Sequence, residues 1–172
     1  MKVAFLSSYD PTSTGSWSGT PYYMLSALKR HNIDVKVLGP VNSFTKPFLK
    51  AFKLVLRLFG INYDYSYSSI LSYEYAFRFN KSLKKLSGVD FIIAPAGSTQ
   101  IAKLKTIIPI LYLSDTTYDQ LKNYYSNFNS INDSFHHQGS KIESAALNNA
   151  SIISFPSDWA ANFCVKHYKI PE

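Results

Sequence analysis

Lys2-Val-Ala-Phe-Leu-Ser-Ser8 leads into Tyr9-Asp-Pro-Thr-Ser-Thr-Gly-Ser-Trp-Ser-Gly-Thr20, and this stretch decides the fold. Residues 3–6 are a short apolar run without polar alternation, as in a strand covered on both faces of a parallel sheet. The hydroxyl-rich segment behind it carries Gly15 and Gly19 and reads as a loop. Residues 21–30 then follow a helical pattern, with Thr20 expected as the N-cap and Pro21 as the first helical residue.

The same alternation continues along the chain. Residues 35–38, 91–94, 108–113 and 152–155 are further short apolar runs, several closed by Gly or Pro. Helical patterns cover 46–59, 69–86, 99–105, 117–125, 140–149 and 158–168. Strand-helix alternation of this kind predicts an α/β fold: a Rossmann-like, doubly wound, mostly parallel sheet in a single domain over residues 1–172. Ser140-Lys-Ile-Glu143 fits a capping box, and Ser157 is placed to cap the last helix. Residues 123–134, rich in Asn and Ser, read as a loop.

Composition narrows the function classes. A chain of 172 residues with 46% hydrophobic content can build one packed core. The formal net charge of +7 favours an anionic partner. The basic residues carry no nucleic-acid-binding motif, so nucleic acid is not expected. Cys164 is the only cysteine, which excludes an internal disulfide, and it is expected to be buried in a helix. The N-terminus does not read as a signal peptide, and no apolar run reaches the ~20 residues of a spanning helix. A cytoplasmic protein, soluble or attached to the inner face of the membrane, is the expectation.

Residues 44–60 sharpen the charge argument. No acidic residue lies between Asp34 and Asp64. On a helix, Lys46, Lys50, Lys53 and Arg57 make one basic stripe, and Phe48, Phe52, Val55 and Phe59 line the opposite side. Such a helix suits an anionic membrane surface. The competing reading is a helix packed on its own domain with a solvated basic back.

Candidate chemistry clusters after the strands. Gly15 and Gly19 let backbone approach a ligand, and Ser16, Ser18 and Thr20 add hydroxyls ahead of a helix N-terminus that favours phosphate. The spacing is neither a dinucleotide fingerprint nor a P-loop. Asp115, in Tyr112-Leu-Ser-Asp-Thr-Thr117, follows the fourth strand, where a carboxylate can bind sugar hydroxyls or act as a base; it could equally cap the helix behind it. Thr99 and Gln100 follow the third strand in the same way. His136 and His137 are adjacent, a poor arrangement for two ligands of one zinc, and no metal is expected.

Taken in order, Lys2–Ser8, Trp17-Ser-Gly-Thr-Pro-Tyr-Tyr-Met24, Tyr112–Thr117, Glu143-Ser-Ala-Ala-Leu-Asn-Asn-Ala150, Ile152-Ile-Ser-Phe-Pro-Ser-Asp-Trp159 and Tyr168 span almost the whole chain. This set resembles the N-terminal domain of a family 4 glycosyltransferase with the GT-B fold. The resemblance implies transfer of a sugar from a nucleotide-sugar donor to an acceptor, with retention of configuration. This half would hold the acceptor, a membrane-associated one if the basic aromatic helix is an anchor. It implies that Gly15, Ser16, Trp17, Ser18, Gly19 and Thr20 face the donor phosphates, that Asp115 lies near the reacting centre and Ser157 near the cleft. Glu143 matches a recurrent family glutamate, which the capping box already explains. The C-terminal donor-binding domain is absent from these residues, so the chain alone is expected to be inactive until a second domain or split partner closes over it. Two other readings stand beside this one: a non-catalytic module that recruits a partner to a membrane, and another α/β enzyme that binds a phosphorylated metabolite in the glycine loop.

Overall fold

The computed structural model describes residues 1–122 and 124–171, and the side chain of Asn127 is also outside that description. Five strands form one all-parallel sheet: β1 (Lys2–Leu6), β2 (Asp34–Leu38), β3 (Phe91–Pro95), β4 (Ile110–Leu113) and β5 (Ile152–Ser154). Their order is β2-β1-β3-β4-β5, with helices on both faces, so the fold is the Rossmann-like α/β class that the alternation predicts. The order reverses between β1 and β3, and ligands of open α/β sheets bind beyond the carboxyl ends of strands at such a point.

The helices are α1 (Thr20–Arg30), α2 (Thr45–Leu58), α3 (Ser69–Leu83), α4 (Ser98–Ile101), α5 (Tyr118–Leu121), α6 (Ser126–Asn129), α7 (Asp133–Asn149) and α8 (Asp158–Tyr168). One face of the sheet packs Ala4, Leu6, Ile92, Ala94, Ile110 and Tyr112 against α3, α4, α7 and α8. The other face packs Val3, Phe5 and Ile93 against Met24 and Leu28 of α1. Each fully buried large side chain contributes about 1.5–3 kcal/mol, so the first face carries most of the stability.

Several expectations need correcting. Only β1 and β3 are covered on both faces; β2 and β5 are edge strands, exposed at alternate residues. On β2, Lys36 and Asp34 form an exposed ion pair at 2.9 Å. The expected helices over 99–105 and 117–125 shrink to the single turns α4 and α5. The Ser140–Glu143 capping box does not exist. Asn132 caps α7 instead, accepting from the N–H of Ser134 at 3.1 Å, and the helix starts seven residues earlier. Gly19, in the left-handed region, occupies the N-cap of α1, so Thr20 is inside the helix. The expected loop 123–134 begins at Asn123, which lies outside the described residues; α6 and the start of α7 occupy much of the rest.

The sheet face beside α1 is incompletely covered. Beyond that helix, Leu111 and Leu113 are half-buried and Ile152 and Ser154 are exposed. All-parallel sheets ordinarily bury both faces, so this strip leaves a groove between α1 and the β4–β5 edge.

Candidate functional site

The groove opens at the carboxyl ends of β4 and β5. A cavity of about 500 Å³ lies there, lined by Trp17, Ser18, Thr20 and Met24 on one side and by Leu113, Ser114, Asp115, Ser154 and Pro156 on the other. Apolar walls with a few convergent polar groups are typical of small-molecule sites.

The β1–α1 loop reaches this position because it folds on itself. Asp10 Oδ1 accepts from the N–H and hydroxyl of Thr12 at 2.9 and 2.7 Å, and Ser13 Oγ accepts from the N–H of Gly15 at 3.2 Å. A 3-10 turn over Trp17–Gly19 follows, with positive φ at Trp17, Ser18 and Gly19 (47°, 52° and 77°). Left-handed backbone is costly at the two non-glycine positions and persists only where surrounding contacts hold it. Gly19 tolerates its φ, and a side chain there would press on the Tyr23 ring 3.0 Å away. The turn aims the Trp17 indole N–H at Oδ2 of Asp115, 3.3 Å away.

Asp115 sits just past β4, whose end is held by Ala96 N–H on Leu113 O at 2.7 Å and Ser114 N–H on Ser154 O at 3.2 Å. Its carboxylate is exposed to the cavity and does not cap α5, whose N-cap is Thr117. An exposed carboxylate beside an indole can accept hydroxyl hydrogen bonds while the ring offers an apolar platform.

The structure brings Trp17, Ser18, Thr20 and Asp115 together. Gly15 and Ser16 belong to the same loop but do not line the cavity, and Gly19 is buried. The N–H groups of Gly15, Gly19 and Thr20 are engaged within the loop, and Pro21 has none, so few loop amides remain for an anion. Ser157 accepts from the N–H of Ala160 at 3.4 Å and caps α8, as its spacing predicts. Thr99 donates to Ser66 O at 2.8 Å and, like Gln100, is buried away from the groove. Met24, Leu113, Ser154 and Pro156 were not legible as lining residues, because only the packing of α1 on β4 and β5 defines the groove.

Two polar clusters lie outside this cavity. Glu143, fully buried, accepts from the Tyr112 hydroxyl at 2.9 Å; burial pushes its carboxyl up to about 7 against the hydrogen bonds of Tyr112 and Ser98. Asp119 Oδ2 meets the Ser140 hydroxyl at 2.6 Å, the Tyr168 hydroxyl at 2.7 Å and His167 Nε2 at 3.0 Å, joining α5, α7 and α8. Among the described residues no group of His, Cys, Asp or Glu has a metal-holding arrangement.

The basic aromatic helix is α2, and most of its apolar side is uncovered, although the Phe52 ring packs edge-on against Tyr63 at 5.8 Å. Leu49 is its one buried residue among those described, while Phe44, Phe48, Leu58 and Phe59 are 77%, 76%, 85% and 75% exposed. Lys46 is half-buried with Nζ 5.6 Å from the Tyr75 ring; Lys53 lies 5.7 Å from the Tyr65 ring and lines a cavity of about 440 Å³ under the helix. Of the stripe, only Lys46 is drawn in; Lys50, Lys53 and Arg57 are exposed. Glu74 of α3 holds the start of α2: it accepts from the N–H groups of Phe44 and Thr45 at 2.8 and 3.1 Å and from the hydroxyls of Ser43 and Thr45. Among the described residues no helix is long and apolar enough to cross a membrane.

No family model, curated protein or solved structure matches this chain.

Proposed function

We propose that this chain is the acceptor-side lobe of a glycosyltransferase, with the acceptor held in the cavity that Trp17 and Asp115 line together. The observation that carries the reading is their convergence: an indole and an exposed carboxylate, one from the loop after β1 and one from the end of β4, flank an open groove. A sugar ring presents apolar C–H faces and hydroxyl edges, which an aromatic platform and a carboxylate recognise together. Asp115 accepts a hydrogen bond from the acceptor hydroxyl and then its proton, as that oxygen bonds to the donor's anomeric carbon and the bond from that carbon to the diphosphate breaks, releasing the nucleoside diphosphate. The donor is a nucleotide sugar bound chiefly by a second lobe. From this side its phosphates meet the hydroxyls of Ser18 and Thr20 rather than a cradle of amides. Transfer requires two lobes closed around both substrates, so this lobe by itself binds acceptor without turnover.

The test is a titration of the chain with a panel of mono- and disaccharides and, separately, nucleoside diphosphates, followed by tryptophan fluorescence, with Trp17→Phe as the control for Trp159 emission, and by ligand-detected NMR. Sugar binding weakened by roughly tenfold in Asp115→Asn is the expected result, the loss of one charge-assisted hydrogen bond. Saccharides that bind neither wild type nor variant, or sugar binding unaffected by Asp115→Asn and Trp17→Phe, would overturn it.

A further inference from the structure

We infer that α2 docks on the surface of an anionic lipid bilayer as an inserted apolar wedge. This inference is independent of what the Trp17–Asp115 cavity binds. At 100° per residue, Phe44, Phe48, Phe52, Val55, Leu58 and Phe59 fall on one outward arc, to which Pro47, Ala51 and Leu54 add no polar atom. All nine of these side chains are exposed. Leu49 and half-buried Leu56 hold the opposite side on the domain.

The chemistry of the arc selects its occupant. A protein partner forms about one hydrogen bond per 100–200 Å² of interface, and this arc offers no side-chain donor or acceptor. The acyl region of a bilayer requires none. Lys50 and Arg57 border the arc in solvent, where long cationic side chains reach lipid phosphates while their stems stay in the apolar layer. No carboxylate occurs in residues 35–63, and Glu74, the acidic group that touches α2, is turned inward onto Ser43, Thr45 and Arg78. On neighbouring α3, Ile70, Tyr73 and Phe77 are also exposed, at i, i+3 and i+7. Arg78 bridges the two helices, with its guanidinium 4.5 Å from the Phe44 ring.

The structure changes the expected balance of forces. Lys46 is half-buried against Tyr75, and Lys53, though exposed, lies against Tyr65, so insertion of the arc dominates and Lys50 and Arg57, nearest its edge, select anionic lipid. The experiment is co-sedimentation with vesicles of phosphatidylcholine alone and of phosphatidylcholine with phosphatidylglycerol at about 2:1. Wild type is expected to pellet with the anionic vesicles. Phe48→Asp with Leu58→Asp, both at exposed positions, lowers the partition coefficient by at least about tenfold. Lys50→Ser with Arg57→Ser weakens pelleting on the anionic vesicles only. Phe48→Trp supplies a reading without a disruptive change, a blue shift of emission on adding anionic vesicles. The proposal is overturned by an unshifted Phe48→Trp emission, by an acidic double variant that is folded by circular dichroism yet pellets like wild type, or by equal pelleting with both lipid compositions. A concentration-dependent dimer that Phe48→Asp with Leu58→Asp dissolves, without vesicle binding, also overturns it and assigns the arc to a second copy of the chain.

Discussion

Trp17 and Asp115 lie 98 residues apart in sequence, and the indole N–H of one donates to the carboxylate of the other at 3.3 Å. The contact ties the loop over β1 to the end of β4. It is long for an N–H···O bond and partly exposed, so it steers the loop more than it stabilises the fold. Trp17→Phe is expected to cost less than about 1 kcal/mol in urea unfolding while increasing amide exchange across residues 13–20. Unchanged exchange in that segment would show that the loop's own turns suffice to hold it.

Glu74 and Thr45 form the clamp on α2. Burial raises the Glu74 carboxyl, but the hydroxyls of Ser43 and Thr45 and the N–H groups of Phe44 and Thr45 outweigh it and hold it at about 2. Negative charge at this end also complements the helix dipole. With the folded value depressed, the clamp's contribution is complete above the unfolded value near 4.5 and is lost as pH falls through about 2. Glu74→Gln should destabilise by about 1–3 kcal/mol at pH 7 and expose α2 amides to exchange. Wild type and variant should converge in acid, and a difference that persists at the lowest pH of the series contradicts the assignment.

Glu143 has the opposite sign. Its carboxyl is raised by burial to about 7, so the folded state holds a proton that the unfolded chain releases near 4.5. Its contribution is complete below 4.5 and declines as pH rises through about 7, with a slope of about 1.4 kcal/mol per pH unit in that window. Glu143→Gln keeps the shape without the titrating proton, and its stability relative to wild type should rise between pH 5 and 7.5. Parallel stability curves for the two proteins rule the buried acid out as the source of the slope.

Gly139 sits inside α7 beneath the Tyr118 ring, where an added Cβ would lie 2.2 Å from Tyr118 Cζ. Alanine is a better helix former than glycine by about 1 kcal/mol, yet the clash forces Tyr118 and α5 to move. Gly139→Ala should lower stability by about 1–3 kcal/mol in urea and disturb residues 115–120, next to the cavity. A stabilised variant would mean that the ring has room to shift.

The strands and their direction were legible because a short apolar run between a loop and an amphipathic helix leaves few alternatives to a parallel α/β sheet. Residues 3–6 and 91–94 illustrate this, since their burial on both faces matches their composition. The cap at Ser157 was legible for a local reason, a hydroxyl three residues ahead of a free N–H. The start of α7 was not, because Asn132 competes with Ser140 for the same role and only Asp119, from another element, draws Ser140 into the helix interior.

Sequence alone determined the period of α2 and the separation of its apolar and basic sides, since both follow from residue spacing. Which side met the domain was decided only in three dimensions. Leu49 found the core, Lys46 and Lys53 found the Tyr75 and Tyr65 rings, and Glu74 fixed the end from another helix. The cavity followed the same division. Local pattern placed Trp17 and Asp115 after their strands, but only the stacking of strands that are distant along the chain brought them across one groove.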